Sequence, residues 1–255
     1  MGMPRNSRIP LGLLDVHPGQ MKTIGLIGGM SWHSTEAYYR RINEQVAARL
    51  GGHSSARISL QSLDFAEVRA CQLRGDWEGS AQILAEAAVR CEAGGADLVA
   101  LCTNLMHKNF PSLESALTVP AVHIADAVAE VGKRAGVTTL GLLGARWVME
   151  EPFYADRLAE HGISVVVPDE SGRELVDQVV FDEITQGHFN EQSRAAYIEI
   201  MRDLASRGAD AVVLACTEIG LLVSPDQAPL PVIDSATAHA DLMVDLALET
   251  ALTSA

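Results

Sequence analysis

Two copies of one pattern run through this chain of 255 residues. Ala96-Asp97-Leu98-Val99-Ala100-Leu101-Cys102-Thr103-Asn104 aligns with Ala209-Asp210-Ala211-Val212-Val213-Leu214-Ala215-Cys216-Thr217, which sets Thr103 opposite Cys216 at an offset of 113 (216 − 103). Flanking segments agree at nearly the same spacing. Ile24-Gly25-Leu26-Ile27-Gly28 aligns with Leu140-Gly141-Leu142-Leu143-Gly144 at 116 (141 − 25), and Pro120-Ala121-Val122-His123 with Pro231-Val232-Ile233-Asp234 at 111 (231 − 120). Any strand-helix chain shows chance echoes, but three in order at nearly one offset point to a duplicated unit. Such a unit can bury one small molecule between its halves and present a side chain to each face of it. That geometry suits moving a proton on or off a carbon centre.

Apolar runs alternate with amphipathic stretches, the signature of parallel strands joined by crossover helices. Strands are expected at 23–27, 57–62, 98–101, 121–123, 139–143, 164–167, 211–214 and 232–233, with helices such as 34–50, 77–93, 149–161 and 193–205 between them. Gly51, Gly94, Gly162 and Gly208 mark helix ends. The expected fold class is α/β: two pseudo-symmetric doubly wound lobes with parallel sheets and a site in the cleft between them. Residues 1–20 hold Pro4, Pro10 and Pro18 and no signal-like apolar core, so they are expected to be a flexible extension. The first lobe is expected over 21–120, completed by a C-terminal helix within 231–255, and the second over 121–230.

The net charge of −14 disfavours a nucleic-acid or anionic-membrane surface, since both need clustered Lys and Arg. No apolar run reaches the roughly 20 residues that span a bilayer. The four cysteines, Cys71, Cys91, Cys102 and Cys216, lack metal-site spacing, and a reduced, cytoplasmic setting is expected. Cys71 and Cys91 fall in helical stretches and read as packing residues.

Ligands of open α/β sheets bind beyond the carboxyl ends of the strands. Three loops leave such ends: Gly28-Gly29-Met30-Ser31-Trp32, Cys102-Thr103-Asn104-Leu105-Met106-His107 and Cys216-Thr217-Glu218-Ile219-Gly220. The first lacks the third glycine of a dinucleotide fingerprint and the lysine of a phosphate loop. Its glycines would permit a tight turn and close approach to something small. Cys216, ahead of a helix, is a candidate acid or base, because helix N–H groups stabilise a thiolate. Thr103 is its counterpart, and Cys102 points the other way if strand alternation holds. Asn104 and Thr217 could grip a carboxylate with neighbouring backbone N–H groups. For each residue there is an ordinary reading too: a buried cysteine, or a Thr or Asn that caps a helix.

As a set, Gly28-Gly29-Met30-Ser31-Trp32-His33-Ser34-Thr35, Cys102-Thr103-Asn104-Leu105-Met106-His107-Lys108, His123-Ile124-Ala125-Asp126-Ala127 and Cys216-Thr217-Glu218-Ile219-Gly220-Leu221-Leu222 are specific. From Met21 to about Thr250 the chain resembles the aspartate/glutamate racemase family, most nearly its bacterial branch specific for L-aspartate and L-glutamate. The resemblance implies an isomerase that works without pyridoxal phosphate or any other cofactor. It implies Cys216 and Thr103 as catalytic residues on opposite faces of the substrate α-carbon, and Met30, Ser31, Asn104, Thr217 and Glu218 around the substrate. His107, His123 and His239 are candidate supporting residues, and relatives are often homodimers. The more usual family motif has a cysteine where Thr103 stands; the nearer branch shares the threonine.

Aspartate-specific relatives carry an Arg where Phe65 follows Asp64, and a Lys within the stretch that here reads Phe181-Asp182-Glu183-Ile184. Lys108 and Arg146 remain candidate anion partners. Acidic L-amino acids are the expected substrates, with neutral amino acids as an alternative. A one-cysteine carbanion enzyme such as a decarboxylase is a second enzymatic reading, and a non-catalytic amino-acid binder a third.

Overall fold

The computed structural model describes residues 21–216 and 219–252. The first half runs β1 (Ile24–Gly28), α1 (Trp32–Leu50), β2 (Ile58–Ser62), α2 (Phe65–Arg74), α3 (Trp77–Ala93) and β3 (Leu98–Leu101). A 3-10 turn (Leu105–Asn109), α4 (Phe110–Ser115), β4 (Ala121–Val122) and α5 (Ile124–Arg134) follow. The second half repeats the plan with β5 (Thr139–Gly144), α6 (Arg146–Glu150), α7 (Pro152–Glu160), β6 (Ser164–Val166), α8 (Glu170–Asp182) and α9 (Glu191–Ser206). It closes with β7 (Ala211–Ala215), α10 (Ile219–Leu222), β8 (Val232–Asp234) and α11 (Ser235–Leu252).

The strands form two four-stranded sheets, ordered β2-β1-β3-β4 and β6-β5-β7-β8, and neighbouring strands in both run parallel. The two orders superpose strand for strand, as the duplication requires. β4 belongs to the first sheet and β8 to the second, so the change of sheet falls between β4 and β5. The expected boundary at residue 120 therefore lay one strand too early. A two-residue edge strand has too little apolar sequence to show which sheet it joins.

Side chains of the central strands alternate between two cores. On β1, Ile24 and Leu26 face a cluster with Tyr38 and Ile42 of α1 and Met243 and Val244 of α11, while Ile27 faces the opposite layer with Leu84 of α3. That second layer continues without a break into the second half, through Leu140, Leu142 and Val212. The halves thus share one interior. α11, although it follows β8, packs on α1 of the first half. Arg41 of α1 grips Asp241 of α11 with two hydrogen bonds of 2.7 Å each.

The repeated sequence has a physical job in each half. The Asp97 carboxylate accepts the Thr23 N–H at 2.7 Å and the Asp210 carboxylate accepts those of Thr138 and Thr139 at 2.9 Å, fastening the start of β1 and β5 alike. His123 and Asp234 occupy matching positions before α5 and α11. Each side chain accepts a backbone N–H of its helix, from Ala125 and Thr237 respectively. The helix expected over 149–161 is two helices: Glu151 is extended (φ −93, ψ 149) because the residue before a proline is driven out of the helical region, and Pro152 then begins α7. Among the described residues no helix is long and apolar enough to cross a membrane.

Candidate active site

The turn after β1 is closed on itself. A Cβ on Gly28 would lie 2.4 Å from the Thr35 side chain, and one on Gly29, whose φ is +90, only 2.1 Å from the Leu63 carbonyl oxygen. Thr35 Oγ1 accepts the Gly29 N–H at 2.8 Å and donates to the Ser31 carbonyl at 3.0 Å. The close approach expected of these glycines is therefore to the chain's own β2 loop and α1, not to a ligand. Its effect is to bring Met30 and Ser31 to the mouth of the sheet, with Ser34 tied to the Cys102 carbonyl at 3.0 Å.

Beyond the strand ends lies a cavity of about 70 Å³. Met30, Ser31, Ser34, Phe65, Gln72, Thr103, Asn104 and Leu105 line it from the first half; Ala145, Val180, Phe181, Thr185, Ala215 and Cys216 line it from the second. Thr103 and Cys216 reach one cavity from matching strand ends. Both are partly exposed, whereas Cys102 is fully buried in the core beneath α1 and α11. Burial pushes the Cys102 thiol far above its usual range. Cys91, likewise buried, is pushed up to about 11. Thr217 and Glu218 lie outside the described residues. The helix after Cys216 is only four residues long, so it offers less dipole than a full helix would.

The three histidines are not on the cavity wall. They form a buried group on its first-half side: the His107 ring centre is 4.5 Å from that of His123 and 5.9 Å from that of His239. His107 Nε2 accepts the Ile124 N–H at 3.1 Å, so its Nδ1 carries the proton and donates to the Thr103 carbonyl at 2.7 Å. His239 Nε2 donates to the Val122 carbonyl at 3.0 Å and Nδ1 accepts from the Tyr38 hydroxyl at 2.9 Å. Burial holds all three neutral: His107 well below its usual range, His123 at about 3 and His239 at about 4. They fasten backbone; His107 in particular holds the carbonyl of Thr103.

Lys108 and Arg146 do not line the cavity. The Lys108 ammonium lies 2.6 Å from Glu151 and 3.9 Å from the Trp77 ring centre, and Arg146 pairs with Glu150 at 3.0 Å. The wall contains no charged side chain among its described residues. Arg69 packs against two wall residues, with its guanidinium 4.3 Å from the Phe181 ring centre and 3.1 Å from Gln72 Oε1. No cluster of three or more metal-ligating acidic, His or Cys side chains occurs among the described residues.

A family model described as Asp/Glu/Hydantoin racemase matches residues 27–243. The chain belongs to that family. A candidate Asp/Glu racemase from Yersinia pestis is 45% identical, covering 89% of this chain and all of its own, with a TM-score of 0.85. An aspartate racemase homologue from Pyrococcus horikoshii OT3 is 33% identical over 89% of this chain and 99% of its own, with a TM-score of 0.78. The broad specificity amino-acid racemase RacX of Bacillus subtilis (strain 168) is 26% identical over 161 residues, 63% of this chain and 69% of its own. Racemases are isomerases, and the two-lobe fold expected from the duplication is the fold of this family.

Sequence reasoning missed Ser34, Gln72 and Thr185 on the wall, each a polar residue within a helix or turn whose facing depends on tertiary packing. It also missed two buried residues behind the wall, Tyr154 and Ser235, which bond to Asn104.

Proposed function

We propose that this racemase inverts α-amino acids without a cofactor, using Cys216 and Thr103 on opposite faces of the α-carbon. The observation that carries the reading is the shared cavity, reached by these two residues from matching strand ends. Cys216, as thiolate, takes the α-proton of the L-enantiomer and becomes a thiol. The resulting carbanion collects a proton on its other face from the Thr103 hydroxyl, which is refilled from solvent as it gives its proton away. Cys216 then returns its own proton to solvent. A threonine hydroxyl is too weak an acid to persist as a base near neutral pH, so removal of a proton from the D-enantiomer is the slow half. The equilibrium stays at unity, because free enantiomers are isoenergetic, so the asymmetry affects kcat and KM jointly.

Acidic L-amino acids are the substrates that the resemblance implies. The wall itself favours a second reading, an uncharged side chain, because Phe65 and Phe181 line the cavity and no cation among the described residues does. A second carboxylate set against the two rings would either draw the Arg69 guanidinium away from Phe181 and Gln72 or stay unpaired, and an unpaired buried charge costs several kcal/mol. Pairs of equal shape decide the matter: glutamine over glutamate and asparagine over aspartate by tenfold or more in kcat/KM supports the uncharged reading, and the reverse order restores the acidic one.

Incubation of the protein with L-amino acids in D2O, followed by chiral separation and mass measurement, tests the reaction itself. Deuterium at the α-carbon of both enantiomers, without release of CO2, is the expected result. Release of CO2 from a malonate would favour the decarboxylase reading, and binding without exchange the non-catalytic one.

A further inference from the structure

Asn104, next to Thr103, has both ends of its amide engaged by residues beyond its own loop. Its Oδ1 accepts the Tyr154 hydroxyl proton at 3.2 Å, from α7 in the second half. Its Nδ2 donates to Ser235 Oγ at 3.0 Å, and Ser235 Oγ donates in turn to the Leu214 carbonyl on β7 at 2.7 Å. Leu214 stands two residues before Cys216. All of these side chains are buried: Tyr154 and Ser235 show no accessible surface and Asn104 only 4%. A continuous line of hydrogen bonds therefore runs from the residue beside Thr103 to the strand that delivers Cys216. It is separate from the His107 contact, whose partners, the Thr103 carbonyl and the Ile124 N–H, both lie before β5.

We infer that Tyr154 and Ser235 are positioning residues, forming with Asn104 a brace that fixes the distance between Thr103 and Cys216 across the cavity. The inference rests on the racemase reading above, in which the substrate must meet both residues at once. Buried hydrogen bonds suit a brace because they are strong in a low dielectric. They also fix direction as well as distance, where apolar packing alone allows sliding. Asn104 lines the cavity but keeps only one amide N–H for it, since the other is given to Ser235. Its first duty is to the brace.

A brace has a signature that stability alone lacks. Loosening it leaves Cys216 able to take the α-proton and return a solvent deuteron to the same face, but misplaces Thr103 for delivery on the other. The test is Tyr154→Phe and Ser235→Ala, each followed in D2O from the L-enantiomer, with two rates measured together: deuterated L-amino acid and deuterated D-amino acid. Each variant is expected to lower the ratio of inversion to same-face exchange by at least fivefold relative to the unaltered protein. Equal losses in both rates, or an unchanged ratio, would overturn the brace while leaving the racemase reading standing. Absence of α-exchange in the unaltered protein would overturn both. Should Ser235→Ala fail to fold, Tyr154→Phe, which keeps the ring and removes a single oxygen, carries the same test.

Discussion

The loop after β3 carries a threonine whose backbone is held by its neighbours, and β7 leads directly into a cysteine that stands ahead of a four-residue helix. Around Thr103, His107 takes the carbonyl, and the amide of the neighbouring Asn104 is bonded at both ends. Elsewhere the halves match closely. Asp97 and Asp210 fasten the central strands, His123 and Asp234 cap the last helices, and the Pro120 and Pro231 carbonyls accept from Val99 and Val212 at 2.9 and 2.8 Å. What the duplication has kept is backbone fastening. At the cavity the halves have diverged in acidity, with a thiol on one wall and a hydroxyl on the other.

The largest effect that would break this contrast is expected at Cys216. Positioned acid or base groups contribute about 10²- to 10⁴-fold, so Cys216→Ser, which makes both walls hydroxyls, should lower α-deuterium incorporation by roughly 10³-fold. Retained exchange would show that the thiol is not the base. The opposite change, Thr103→Cys, makes both walls thiols. Turnover from the D-enantiomer should rise by about tenfold in kcat, read by chiral chromatography, and the two directions should draw closer. An unchanged D-side rate would remove Thr103 from the mechanism.

The halves should also part under acid. His107, His123 and His239 are buried and neutral beside the first-half loop, with folded pKa values depressed below that of an exposed histidine. Below the unfolded value, near 6.5, the unfolded chain binds protons that the folded one refuses. Stability is thus fully present above that pH and falls as pH drops toward about 4 for His239 and about 3 for His123. From about pH 6.5 to about pH 5 His123 and His239 each remove on the order of 2 kcal/mol, and His107 acts in the same direction. Urea unfolding at about pH 7 and about pH 5 measures the total, and hydrogen exchange should show the Thr103 segment opening before the Cys216 segment. Stability that is level over this range would contradict the neutral cluster.

How much of this was legible beforehand depends on range in sequence. β3 and α3 fall at the residues expected, because a buried parallel strand reads as an unbroken apolar run and a helix beside it as an amphipathic one. The pairing of Thr103 with Cys216 was legible because it is a repeat. The break at Pro152 was written in the chain and still missed, since apolar spacing continues across it. The brace was not legible at all. Asn104 meets Tyr154 and Ser235 at separations of 50 and 131 residues, and no local periodicity encodes how one lobe is set against the other. The cavity wall falls between these cases: the resemblance marks Phe65 as standing in place of an Arg and the stretch 181–184 as lacking a Lys, but only the fold brings Phe65 and Phe181 to one space.

The smallest effect is expected at Cys102, and it tests the register on which the whole contrast stands. Its sulfur is fully buried among Ile24, Leu26 and the residues of α11, on the opposite side of the chain from the cavity. Cys102→Ala therefore removes packing and no chemistry. It should cost about 1 kcal/mol in unfolding stability, the scale of a small buried group, and leave the ratio of D-side to L-side turnover within about twofold. The neighbouring position makes the comparison sharp, since Thr103→Cys introduces a thiol one residue away and is expected to change that ratio by about tenfold. If instead Cys102→Ala abolished turnover as Cys216→Ser should, the first-half wall would present a sulfur after all, and the two halves would be chemically alike.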